Sequence, residues 1–533
     1  MANALSNLAR LARAGFVMAQ YGVRFVPEKI PTPFALKLAS ALTAPVRVVS
    51  GLFRSKRSRR ARVADALGKL GPSYIKLGQF MATRADVIGP DLAADLSVLQ
   101  DKMKPFAQAR ARASIEAALG GTLEAYFSAF GPAIAAASIA QVHRATTLEA
   151  GNRGAARDVA VKILRPGIEK RFRQDLDSFF FAARQIERFH KPSRRLRPLA
   201  VVDNLRETTE LEMDLRLEAA AISEMADNIA QDTGFRVPQV DWHRTAKRVL
   251  TLEWIEGIPI GNTAALREAG HDTRALGMTV LQSFLRHAMR DGFFHADMHQ
   301  GNLLVEPDGT VVAVDFGIMG RLTAIEQRFL AEILFGLITR DYARAARVHF
   351  DAGYVPSHQS VAVFAQAMRA IGEPIHGRTA DEISMAELLG QLFAYTEIFD
   401  METRPELILL QKSMVIVEGV ARGLDPELNL WTAAEPIART WLEENMGAAA
   451  ALKDAREGAG EVGKLITHLP RLAQRAERAG EALQRLADGG VKLDEKSVAQ
   501  VRAPNRADVA GRVALWIGAL ALAALAVMQY LEM

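Results

Sequence analysis

The chain contains no cysteine. Disulfides, thiolate metal sites, iron–sulfur clusters and cysteine nucleophiles are therefore excluded. Aromatic residues are scarce, at 7 %, and the Ala- and Leu-rich remainder leans the fold toward helix. Near the N-terminus, MANALSNLARLARAGF has no long apolar run after a basic start. No cleaved secretory signal is expected there. Leu5, Leu8, Leu11 and Phe16 are instead spaced for one face of a helix, which would pack on the body of the protein or lie on a membrane surface. A strong charge excess is also missing. The net charge of +5 with 24 % charged residues is not the profile of a dedicated nucleic-acid binder, so no nucleic-acid partner is expected.

What is present is length and apolar content. The 533 residues, 49 % of them hydrophobic, suffice for two or three domains or one large elaborated domain. The local basic excess lies at 54–62, RSKRSRRAR, with six basic residues in nine. Such a cluster attracts anionic lipid headgroups or nucleic acid, or is a solvated basic linker. From Val513 to Leu531 there is no charged residue in 19. At about 1.5 Å per residue this spans roughly 28 Å, close to the ~30 Å hydrocarbon core. Trp516 and Tyr530 sit near the ends, and Arg502, Arg506 and Arg512 precede the stretch. We expect a single C-terminal membrane anchor at 511–531, with the rest of the chain in the cytoplasm.

Between these ends the pattern changes character twice. Residues 61–130 show helical periodicity with turns at Gly71-Pro72 and Gly89-Pro90, and Gly131-Pro132 breaks it. Residues 134–164 read as a strand, a loop and a further strand, VAVKIL at 159–164. Helices are expected over 168–230, a strand over 249–254 and a helix over 273–292. Strands at 303–306 and 311–316 flank the turn Pro307-Asp308-Gly309-Thr310. From 322 to about 500 the chain reads as nearly all helix, with a polar linker at 484–510. The fold class is α+β and helix-rich.

The chemistry concentrates at 295–302, HADMHQGN, followed by DFG at 315–317. Asp297 and Asn302 are five apart, and Asp315 lies thirteen further on across the expected hairpin. The spacing resembles the protein-kinase pattern of a catalytic-loop Asp and Asn before a magnesium-binding Asp. Phosphoryl transfer needs a carboxylate at the incoming hydroxyl or water, the role that suits Asp297. It also needs oxygen ligands that hold Mg2+ against the phosphates of ATP, a role for Asn302 and Asp315. Upstream, VAVK at 159–162 matches the strand carrying the phosphate-binding lysine, here Lys162. That lysine needs a carboxylate partner, and acids stand in ELEMDLRLEAAA at 210–221. A Gly-rich loop is missing. In its place stands AIAAASIAQVH, 133–143. We take Ile134, Ala135, Ala136, Ala137, Ser138, Ile139, Ala140, Gln141 and Val142 as the candidate nucleotide loop.

This Ala-rich loop resembles that of the UbiB family of atypical kinases, linked to ubiquinone biosynthesis. The resemblance covers about residues 60–430. It includes a KxGQ motif, Lys76-Leu77-Gly78-Gln79, and an ExD motif, Glu212-Met213-Asp214. It implies Glu218 as the partner of Lys162. It also implies that Lys76 and Gln79 fold over the site, with Lys76 pairing Glu212 and Asp214. It implies a protein-kinase-like two-lobe fold with this organisation: a basic helical leader (1–60), a KxGQ extension (61–130), an N-lobe with inserted helices (131–258), a C-lobe (259–440), a helical region and linker (441–510) and the anchor. The implied setting is the bacterial inner membrane. Membrane lipids, polyprenylphenol or quinone intermediates and other ubiquinone-pathway enzymes are the implied partners. No APE element follows DFG, and Ala296 replaces the Arg of HRD, so ordinary protein phosphorylation is not expected.

Four rivals share parts of this text. His295-Ala296-Asp297 imitates the HxD of iron oxygenases, with His349 or His376 as a second ligand. His299 and Asn302 resemble aminoglycoside and choline phosphotransferases. A pseudokinase scaffold would keep the fold without turnover. Residues 458–465, GAGEVGKL, approach a Walker loop, but Leu465 replaces its Ser or Thr and no strand precedes it.

Overall fold

The computed structural model describes residues 2–21, 59–82, 95–96, 103–148, 155–189, 194, 197–376, 395, 398–401 and 405–446. Residues 54–58 of the basic run, Gly89-Pro90, the Walker-like segment 458–465, the linker 484–510 and the anchor 511–531 lie outside the described residues. No helix among the described residues is long and apolar enough to cross a membrane.

Among the described residues three helices belong to the N-terminal extension: α1 (Ala2–Gln20), α2 (Arg59–Leu70) and α3 (Pro72–Ala82). After α4 (Gln108–Leu119) come strands β1 (Phe127–Ala136), β2 (Ala140–Thr147) and β3 (Asp158–Leu164), then helices α5 (Ile168–Phe189), α6 (Pro198–Glu212) and α7 (Leu215–Asn228). The extension packs on α5 and α6 through a separate core that includes Val17, Leu67, Ile75, Leu176, Phe179 and Leu205. Tyr74 meets Phe179 edge to face, with centroids 5.2 Å apart. Fully buried side chains such as Leu67 each contribute about 2 kcal/mol. Gly71 joins α2 to α3 at φ +107°, and a Cβ there would lie within 2.1 Å of the Arg171 guanidinium. Arg171 uses that space to reach the Leu70 carbonyl at 2.8 Å.

The upper lobe is an antiparallel sheet of order β1-β2-β3-β5, completed by β5 (Val249–Glu253). Side chains alternate across it. Val159, Val161 and Ile163 face Ala111 and Ile115 of α4, which leaves Lys162 on the opposite face. Gly131-Pro132 proves to be no boundary. It sits inside β1, where the register shifts between Phe130 and Ala133. Proline is tolerated because β1 is an edge strand.

The lower lobe adds a second sheet and more helices. Strands β4 (Phe235–Arg236), β6 (Ile258–Pro259), β8 (Leu303–Val305) and β9 (Val311–Ala313) form a sheet of order β4-β9-β8-β6. Strands β7 (Phe293–His295) and β10 (Met319–Arg321) pair separately. Two-residue strands such as β4 carry no readable alternation. The hairpin strand ends at Ala313, short of the expected 316. Val314 N–H still bonds the carbonyl of Asn302 opposite it at 3.0 Å, and Asp315 follows beyond that last ladder bond.

Helix α8 (Thr263–Glu268) leads to α9 (Thr273–Arg286), capped by Asp272, whose carboxylate accepts from the N–H groups of Arg274 and Ala275. The helix expected over 273–292 widens into a π turn at His287–Asp291 and stops at Gly292. Helices α10 (Ala324–Ile338), α11 (Tyr342–Asp351), α12 (Val361–His376), α13 (Pro405–Leu424) and α14 (Leu430–Met446) complete the described chain. Thr323 and Glu326 start α10 with a reciprocal capping box. One continuous core, running from Leu164 and Leu250 through Phe284 and Phe294 to Ala434, joins both lobes.

Candidate active site

Each functional side chain is aimed by a local device. Lys162 is in the middle of β3, paired across the sheet with Val142 and Leu250. Glu218 lies in the first turn of α7. Asp214 caps that helix by accepting the Arg216 N–H at 3.2 Å. Asp315 follows β9, and its carboxylate accepts the Gly317 N–H at 3.0 Å.

These three meet. Lys162 Nζ lies 2.6 Å from Glu218 Oε1 and 3.3 Å from Asp315 Oδ1. Burial works against the Lys162 ammonium, but the charges of Asp315 and Glu218 outweigh it and raise its pKa. Burial pushes Asp315 up, yet Lys162 and the Gly317 amide bring it down to about 2. Glu218 is raised because burial costs its charge more than Lys162 returns. Glu218 Oε1 also accepts the Phe316 N–H at 3.4 Å, which ties α7 to the DFG turn.

Asp297 and Asn302 share the loop after β7. Asn302 Nδ2 donates to the Asp297 carbonyl at 3.0 Å, so Oδ1 is the amide atom available to a cation. His299 Nε2 stands 3.8 Å from Asp297 Oδ2. His295 links the two loops. Its Nδ1 accepts the Asp297 N–H at 3.0 Å, and its Nε2 donates to the Asp315 carbonyl. Both ring nitrogens are thus engaged, and the iron reading loses its first ligand. Of the two candidates for its second, His349 is buried and bonded to the Ala345 carbonyl at 2.7 Å. The side chain of His376 lies outside the described residues. Among the described residues no cluster of three His, Asp or Glu could hold a metal by itself. A kinase-type magnesium ion differs, since it draws several of its oxygens from phosphate and water.

The Ala-rich segment is a β-hairpin whose turn is Ala137-Ser138-Ile139. Its two faces behave differently. Ala135 and Val142 share the Lys162 row. Ala136 is half-buried and Ile134 exposed. Ser138, Ile139 and Ala140 are buried, and the Ser138 hydroxyl has no hydrogen-bond partner. Gln141 faces away from Lys162. Its side chain bonds both the N–H and the carbonyl of Phe106, at 2.9 and 3.3 Å, and it touches His143. The expectation that Gln141 lines the nucleotide site is corrected accordingly: it fastens the hairpin from behind.

Lys76 Nζ lies 2.6 Å from Glu212 Oε2, with both side chains largely buried. Gln79 is on the same helix, about one turn further along. Asp214, expected beside Lys76, is paired with Arg216 at 2.6 Å. Three residues have roles in this assembly that the motifs do not assign: His295, which heads the HADMHQGN run but acts as the bridge, Arg165 behind the loop, and Arg236. Arg236 forks to Glu253 (3.0 Å) and Glu306 (2.7 Å), joining the two sheets. Pattern parity in β2 would have exposed Gln141, since Gln141 and His143 are out of phase with Val142. Arg236 has no sequence signal.

The fold and the Lys–Glu–Asp arrangement define a protein-kinase-like protein. Residues 98–349 match the ABC1 atypical kinase-like domain, and residues 368–429 match the UbiB helical domain. A "Probable protein kinase UbiB" of Marinobacter nauticus is 37 % identical over 513 residues, covering 95 % of this chain and 89 % of its own. One of the same name from Xanthomonas campestris is 37 % identical over 473 residues, covering 87 % and 84 %. A solved Mycobacterium tuberculosis protein, Rv3197 in complex with erythromycin, aligns at 22 % identity and a TM-score of 0.46, over 76 % of this chain and 98 % of its own. The chain belongs to the UbiB family of atypical kinase-like proteins.

Proposed function

We propose that this chain is a membrane-anchored atypical kinase or ATPase that uses Mg-ATP in support of ubiquinone biosynthesis, as an accessory or regulator of steps such as polyprenylphenol hydroxylation. The observation that carries the reading is Lys162 held between Glu218 and Asp315, beside a loop that carries Asp297 and Asn302. The donor set fits the cofactor. The Asp315 carboxylate and Asn302 Oδ1 are hard oxygens of the kind magnesium prefers. Bound magnesium would neutralise phosphate charge.

Lys162 would bind the α- and β-phosphates, and Glu218 would hold its ammonium in place. Asp297 would orient the acceptor hydroxyl or water and take its proton. Ala135 and Val142, in the Lys162 row, would cover the nucleotide. The acceptor is a lipid, a protein or water. Lys76 and Gln79 would restrict it by holding the extension against the ExD segment, in line with the absence of a peptide-docking element. The apolar stretch 511–531 would anchor the chain in the bacterial inner membrane, beside lipids, quinone precursors and the enzymes that process them.

The test compares magnesium-dependent ATP hydrolysis by the full chain and Asp297→Asn, with and without liposomes. A fall of about 10²-fold or more in the variant supports the catalytic reading. Equal turnover would refute it and leave the scaffold reading.

A further inference from the structure

Arg165 lies three residues beyond Lys162, just past the end of β3. Its guanidinium donates to the Ala137 carbonyl from Nε at 3.0 Å and from Nη2 at 2.8 Å. The same Nη2 donates to the Lys104 carbonyl at 3.0 Å, and the group lies over the Phe106 ring, 5.7 Å from its centroid. Its backbone N–H donates to the Ile139 carbonyl at 2.8 Å. Two further ties hold the same parts together. Met103 N–H donates to the Ala136 carbonyl at 2.9 Å, and Gln141 grips the Phe106 backbone. Residues 103–106 precede α4, between the helical extension and the sheet.

The consequence follows from peptide geometry. A peptide unit is planar and trans, so the Ser138 N–H points opposite to the Ala137 carbonyl. A guanidinium gripping that carbonyl fixes the whole unit. Without the grip the peptide could turn its carbonyl outward, which would repel a phosphate, whereas an N–H attracts one. Glycine would make such a turn easy to re-orient; Ala137 and Ser138 restrict it less than a clamp does.

We infer that Arg165 is a positioning residue for the phosphate-binding turn: it fixes the Ala137–Ser138 peptide so that an N–H faces the nucleotide phosphates, and it couples that turn to the segment arriving from the extension. This rests on the reading that the site takes a nucleotide.

The test uses the full chain with Arg165→Ala and Arg165→Lys, and reads Kd for Mg-ATP and for adenosine, which has no phosphate. Arg165→Ala should weaken Mg-ATP by about tenfold or more and adenosine by less than about threefold. Arg165→Lys, which keeps one charged donor, should recover part of the loss. Without nucleotide, hydrogen exchange at the Ala137 and Met103 amides should rise in Arg165→Ala while the Leu281 amide in the core stays protected. Equal weakening of both ligands, or unchanged exchange at 137 and 103, overturns the inference. Wild-type protein that binds neither ligand would defeat the nucleotide reading instead, and exchange would still decide whether the clamp exists.

Discussion

The Nε2–H of His295 donates to the backbone carbonyl of Asp315, across the gap between the two acid-bearing loops. The other ring nitrogen accepts the Asp297 N–H at 3.0 Å, so a single neutral tautomer sets the relative position of the two acids. Burial lowers the His295 pKa, outweighing the favourable Asp315 contacts. His295→Phe keeps the ring volume and removes both bonds. It should reduce ATP turnover by roughly ten- to hundredfold, by the cost of leaving buried polar groups unpaired. Steady-state kinetics checks this. An unchanged kcat would show that the loops hold their positions without the bridge.

Lys162 neutralises two carboxylates at once. Asp315 is held at about 2, so in the wild type its contribution is present above the ordinary carboxylate value and is lost only as pH falls toward 2. In Lys162→Met the two acids face each other without a cation, and both pKa values should rise. The sign then reverses. Stability of the variant should be closest to wild type near pH 4 and fall behind it as pH rises toward 7, by about 1.4 kcal/mol for each tenfold gain in the acids' proton affinity. Urea unfolding at several pH values reads the difference. Mg-ATP binding should be lost at every pH.

The parts of this site that are legible in the sequence are those where one residue type is demanded at a fixed offset. Asp297, Asn302 and Asp315 stand at such offsets, and Lys162 follows the Val-Ala-Val alternation of 159–161 inside its strand. The illegible parts depend on partners distant in sequence. Arg165 is masked by the stop signal Pro166-Gly167, and nothing near it announces a bond to Ala137 or Lys104. Gln141 reads as a loop residue until strand pairing shows which face it occupies. Gly131-Pro132 reads as a boundary because proline usually is one, but an edge strand has no ladder partner on its outer side, so a proline there need not cost a ladder bond. The helices are legible from their 3.6-residue period. The short strands β4, β6, β7 and β10 are not, since two or three residues hold no period.

His287 gives the fold an acid-sensitive point. It is fully buried in the π turn, and neither ring nitrogen has a hydrogen-bond partner. Burial brings its pKa down to about 3. Asp232 opposes that shift, and Arg290, Arg286 and His295 add to it. The folded state therefore holds a neutral ring where the unfolded chain binds a proton. Stability is fully present above the ordinary histidine value near 6.5 and declines as pH falls through that value toward 3. Between pH 6.5 and 5 the loss should be about 2 kcal/mol. His287→Phe should flatten this part of the profile, and the ring of Phe235, 5.1 Å away, offers an aromatic contact to replace the imidazole. An identical pH profile in the variant would assign the acid sensitivity elsewhere.

The extension is held to the ExD segment by a pair that is costly to break. The Lys76 and Glu212 side chains are 14 % and 9 % exposed and 2.6 Å apart. Removing one partner leaves the other charge poorly solvated, at a cost of about 3 kcal/mol. Lys76→Ala and Glu212→Ala should each destabilise by about that amount, whereas the double variant should cost far less than their sum. The same cycle separates docking from chemistry. Asp214 caps α7 two residues beyond Glu212, and α7 carries Glu218, so that helix is one route by which strain at the pair reaches Lys162. If the extension only covers the site, the double variant should retain the wild-type Kd for Mg-ATP while admitting larger acceptors. If instead it sets the position of α7, both single variants should also weaken Mg-ATP, in proportion to their loss of stability. Additive single and double effects in denaturant unfolding would show that Lys76 and Glu212 do not act as a pair.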